Sequence, residues 1–177
     1  LEHYKSWSGI KGRLEESLCD PLKNRITYFL TRYHKVHDAY GRAAIRLEGK
    51  ELVCFSWIEM YRQEYAVSQI TRNNLASSYK EAEDTLKSDW DKNCTYYDMD
   101  FLEAVQKFFH LSIQDALESD NYIIKVLAVL DRRVGKRTLK QICMKMEYLN
   151  YPDWVKQFYQ LRFDFERITL WDLRLSL

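Results

Sequence analysis

Arg42–Trp57 reads RAAIRLEGKELVCFSW, and the pair Glu48-Gly49 at its centre decides the fold. Before the pair, Ala43, Ile45 and Leu47 alternate with Arg42, Ala44 and Arg46. After it, Glu51–Trp57 is again rich in residues that fit a pleated surface. Two such runs around a short Gly-containing turn predict a β-hairpin. Across a two-residue loop, Ala43, Ile45 and Leu47 are expected to share a face with Leu52 and Cys54.

Outward from the hairpin, Arg25–Val36 carries Ile26, Thr27, Tyr28, Phe29, Thr31 and Tyr33, which reads as a further strand. Three successive strands predict an antiparallel meander over about residues 25–57, with one face covered by helices. Upstream, Trp7, Ile10, Leu14 and Leu18 recur at steps of three and four, one stripe of a short helix that Asp20-Pro21 ends. Downstream the period changes to helical. Ile58, Tyr61 and Tyr65 open a stripe that Leu75, Tyr79, Ala82, Leu86 and Trp90 continue, with a break at Asn73-Asn74. Asp100 reads as the cap of a helix bearing Phe101, Val105, Phe108 and Phe109.

Residues 121–134 are the most apolar stretch, and so the expected centre of the helical part. Gly135 reads as its left-handed cap, and Thr138 with Gln141 as a capping box for the next helix. Pro152 opens a last helix with the stripe Val155, Phe158, Leu161, Phe165 and Ile168. Trp171–Leu177 alternates like a strand. The expected fold class is therefore α+β: a short N-terminal helix, the meander, and a mostly helical remainder. All of 1–177 reads as one domain, with a weak sub-boundary near 71–74.

Formal charge is +1, which argues against a protein that neutralises many phosphates. The near-zero total hides two opposed segments. Residues 75–103 hold three lysines against eight acids, and residues 122–150 hold seven bases against Asp131 and Glu147. Cys19, Cys54, Cys94 and Cys143 are spread without C-x-x-C spacing, so zinc-ribbon and redox motifs are absent. The hairpin pattern points Cys54 toward the core, away from nucleophilic work. No apolar run approaches a bilayer span, and no signal peptide is visible, so a cytoplasmic protein without membrane contact is expected.

Two places could carry chemistry. In Asp131–Thr138, Arg132 and Arg133 are expected in the last turn of a helix, where cations complement the dipole. Lys136 and Arg137 are expected just before the next helix, where an anion would be welcome. One reading is an anion or partner site made of Arg132, Arg133, Lys136 and Arg137. The other is internal pairing of Lys136 and Arg137 with acids such as those of residues 81–91. The stretch is not a P-loop, because Leu130 and Arg137 stand where that motif needs glycine and a hydroxyl. The second place is His34-x-x-His37-Asp38, which could hold a metal or do acid–base work. Against that, a spacing of three on a strand puts the two His on opposite faces, and Asp38-x-x-Gly41 is ordinary turn chemistry. No motif implies a cofactor.

Two stretches are similar to sequences met elsewhere: ITYFLTRYHKVHDAYGRAAI over Ile26–Ile45 and IKVLAVLDRRVGKRTL over Ile124–Leu139. They resemble a family of small uncharacterised bacterial proteins in which a tyrosine-rich strand and a terminal Asp-Arg-Arg-x-Gly-Lys-Arg stretch recur. The resemblance implies a bacterial cytoplasmic protein and no particular activity.

The leading expectation is a non-enzymatic binding or accessory protein, immunity-type for instance, acting through contact with a protein partner. A phosphate- or nucleic-acid-binding protein using the basic 132–137 turn is the first alternative. A small metal-assisted enzyme using His34, His37 and Asp38 is the second.

Overall fold

A computed structural model describes residues 6–32, 41–73, 90–146 and 149–169, and positions 78, 80, 81 and 84 besides. The expected α+β architecture is observed: an N-terminal helix, a three-stranded antiparallel sheet, then a mostly helical remainder. Among the described residues helix exceeds strand, 63% against 16%, as the change of period after Trp57 requires.

Helix α1 (Trp7–Ser17) starts where the Ser6 hydroxyl accepts the Gly9 N–H, and turns Ile10 and Leu14 inward. A 3-10 turn (Asp20–Leu22) leads to strand β1 (Ile26–Arg32), followed by β2 (Gly41–Leu47) and β3 (Lys50–Ser56) in sheet order β1-β2-β3. Glu48 and Gly49 both take positive φ, 52° and 83°, which suits a two-residue turn to the twist of the flanking strands.

The register corrects one expectation. Arg46 pairs with Glu51, but Ile45 pairs with Val53, so Leu52 is the extra residue of a β-bulge. Beyond the bulge every side chain of β3 changes face. Val53 and Phe55, not Leu52 and Cys54, therefore lie beside Ala43 and Ile45 in the core. Cys54 stands opposite Ala44, half-buried.

Helix α2 (Trp57–Arg72) follows without a loop, the Ser56 hydroxyl capping the Ile58 N–H. It ends at Asn73, beside the expected weak boundary, and residues 74–77 lie outside the described residues. Helix α3 (Asp98–His110) begins three residues earlier than its sequence suggests, with Tyr97 in place of Asp100 as the N-cap. Asp100 is its third residue and reaches back to accept the Tyr97 N–H at 2.7 Å. Helices α4 (Ile113–Glu118), α5 (Tyr122–Leu130), α6 (Lys136–Lys145) and α7 (Asp153–Glu166) complete the order.

The apolar run 123–130 is the centre of the helical part, as its composition predicts. All eight of these residues are buried, and α5 packs against α3, α4 and α7. On the sheet side, Phe101 of α3 stacks on Phe55 at 5.1 Å and on Tyr28 at 6.4 Å. The buried face of α7 is turned from the expected stripe: Val155, Phe158, Tyr159, Arg162 and Phe163 face inward, while Leu161 and Phe165 are partly exposed. No helix among the described residues is long and apolar enough to cross a membrane.

Candidate functional site

The basic stretch is not the pair of helix ends that its sequence predicts. Helix α5 stops at Leu130, so Asp131, Arg132 and Arg133 form a turn outside it. Gly135 has φ −78° and is the N-cap of α6, not a left-handed cap of α5. Thr138 consequently lies inside α6, and no side chain caps that helix. The expected capping box is absent because α6 starts at Lys136, which makes Lys136 and Arg137 its first two residues.

This shift separates the four cations. The Asp131 turn is fastened to the end of α1: Cys19 N–H donates to the Leu130 carbonyl at 3.0 Å, and Arg132 N–H donates to the Ser17 carbonyl at 2.8 Å. Asp131 is 1% exposed. Its carboxylate accepts the Arg133 backbone N–H at 2.7 Å and the Arg133 guanidinium at 3.0 and 3.1 Å. Burial, with the Asp131 and Glu15 charges adding to it, raises the Tyr28 phenol above its ordinary range. Arg133 also donates to the Leu111 carbonyl and lies over the Phe108 ring at 5.4 Å.

Arg13 reaches the same place from α1. It donates to the Phe109 carbonyl at 3.2 Å and stacks on the Phe109 ring at 4.1 Å. Arg13 and Arg133 thus sit on the carbonyl end of α3, where cations are stabilised by the helix dipole. Between them opens a cavity of about 310 Å³, lined also by Glu16 and Arg132. The Arg132 side chain is exposed and makes no hydrogen bond or ion pair among the described residues.

Lys136 and Arg137 do not line this cavity. Both are exposed. Lys136 meets Glu166 at 3.4 Å, and Glu166 also holds the buried Arg162 at 3.2 Å. Among the described residues the internal partner of Lys136 is therefore the end of α7, and most of residues 81–91 lie outside them. An internal carboxylate already stands at the start of α6, where an external anion was expected. Sequence reasoning missed Arg13, because only the fold brings α1 beside residues 131–133; no local pattern marks it.

The match of a family model to residues 6–163 takes in both stretches that carried the sequence resemblance. The chain belongs to the SF0329 protein family. That assignment agrees with the expected likeness to uncharacterised proteins, and it attaches no chemistry to the SF0329 chain. Comparison with curated proteins gave no match, and comparison with solved structures gave none.

His34, His37 and Asp38 lie outside the described residues. Among the described residues no group of three His, Cys, Asp or Glu side chains could hold a metal ion. His110 is exposed at the end of α3.

Proposed function

We propose that this SF0329 family member is a non-enzymatic bacterial cytoplasmic binding protein whose arginine-lined cleft receives a carboxylate-rich segment of a protein partner. The observation that carries the reading is Arg132, an exposed guanidinium that stands in a fixed cleft beside two more. The turn that bears it is held to α1 by two backbone hydrogen bonds, so little ordering is needed on binding. Guanidinium groups bind carboxylates in bidentate fashion, and the half-buried Phe109 ring adds apolar surface. Asp131 is already engaged by Arg133, and Glu16 is the other carboxylate that lines the cleft. All four cysteines are thiols, which fits a reducing compartment.

A photo-crosslinking residue in place of Glu16, on the rim of the cleft, tests this in the native cell. The expected result is one dominant protein adduct, attached through an acidic segment and lost when Arg132→Glu is added. An adduct indifferent to Arg132→Glu contradicts the proposal, as does none at all.

A further inference from the structure

Glu16 lines the arginine cleft with Arg13, Arg132 and Arg133, and its side chain is exposed. The other carboxylate there, Asp131, is buried and engaged by Arg133. Glu16 makes no hydrogen bond or ion pair among the described residues, although three guanidinium groups share its cleft. Two of those three are held elsewhere. Arg133 gives Nε and Nη2 to Asp131 and Nη1 to the Leu111 carbonyl. Arg13 donates to the Phe109 carbonyl and lies over the Phe109 ring. The place of Glu16 follows from the helix. It is three residues after Arg13 on α1, about 4.5 Å further along the axis. The next residue, Ser17, ends α1, and its carbonyl accepts the Arg132 N–H at 2.8 Å. Along α1, Glu16 therefore stands between Arg13 and the turn that bears Arg132.

A cleft lined by guanidinium groups alone would favour the most anionic segment available. With an unpaired carboxylate between its cations, it favours a segment whose charges alternate in the same way. An acidic side chain set against Glu16 is repelled, and a basic one is attracted. We infer that Glu16 is a specificity-determining residue, and that the cleft selects a partner segment in which acidic residues flank a lysine or an arginine. This selectivity rests on the cleft being a carboxylate site, as proposed above, and adds which acidic segments it accepts. The preference is modest, because exposed charge pairs change affinity by only about threefold.

Calorimetric titration with two series of short glutamate peptides tests this. Each peptide has one internal glutamate replaced, by lysine in the first series and by norleucine, an uncharged chain of similar shape, in the second. Net charge alone favours norleucine at every position, because those peptides are the more acidic. Selection by Glu16 predicts the reverse at one position or more, with lysine about threefold tighter. In Glu16→Gln, confirmed folded by circular dichroism, that advantage should disappear. The same variant should bind the all-glutamate peptide at least as tightly as the wild type, since it keeps all three arginines. Norleucine binding as well as lysine at every position overturns the inference and leaves the carboxylate site standing. A lysine advantage that survives Glu16→Gln has the same meaning. A wild type that binds none of the peptides overturns both.

Discussion

Gly41 shows how the reason for a glycine can lie outside its local pattern. It is the first residue of β2 and is paired with Arg32, while the Asp38-x-x turn expected before it lies outside the described residues. What requires glycine is the Asp98 carboxylate: a Cβ on Gly41 would lie 1.7 Å from Asp98 Oδ2. Asp98 is 4% exposed at the first turn of α3, so it has little room to withdraw. Gly41→Ala should therefore cost about 1–3 kcal/mol or more, as overpacking does in a dense interior. Urea unfolding measures it, and a loss below about half a kcal/mol would show that Asp98 moves aside freely. The contact joins residues 57 positions apart, and no local pattern reports such an approach. Arg13 was hidden for the same reason.

At the scale of elements, the hairpin was legible in its turn and its strands but not in its register. Alternation states which residues share a face only while the count is unbroken, and the bulge at Leu52 breaks it. Below the bulge, Glu51 bridges Arg42 and Arg46 across the strand pair: Arg42 Nη1 donates at 2.8 Å and Arg46 Nη2 at 2.9 Å. The Arg42 hydrogen bond, with help from Arg46 and against partial burial, lowers the Glu51 carboxyl from 4.5 to about 2. A depressed carboxyl stabilises the fold when ionised. Its contribution is complete above pH 4.5 and is lost as pH falls toward about 2. Thermal melts of the wild type and Glu51→Gln should thus differ by a constant gap at neutral pH, and the gap should close across that acid window. A gap independent of pH would mean that Glu51 acts through packing. The helix ends fared less well than the helices themselves. Asp100, Gly135 and Thr138 were all assigned cap positions from residue type; α3 and α6 are each capped three residues before the expected cap, and α5 stops at Leu130, well before Gly135.

For the molecule as a whole, the apolar run 123–130 was the most legible feature, since a helix with almost no polar face can only be central. Leu127 is 2% exposed, and Leu127→Ala should cost about 2–5 kcal/mol in a denaturant titration. A cost under half of that lower bound would place α5 at the periphery. The two opposed charge segments were legible as composition, but what they do depends on how the chain folds. The basic one divides, with Arg132 and Arg133 joining Arg13 in a cleft and Lys136 turning to Glu166. On the proposed function, that division gives anion recognition to the cleft and not to the start of α6. Calorimetric titration with a glutamate-rich peptide decides it. The comparison sets wild type against Arg13→Glu with Arg132→Glu, and against Lys136→Ala with Arg137→Ala. Binding should vanish in the cleft variant and stay within about twofold in the helix-start variant, since only the first removes groups that face the ligand. Binding that survives the cleft variant, or that fails in the helix-start variant, would contradict the account, as would a wild type that does not bind the peptide.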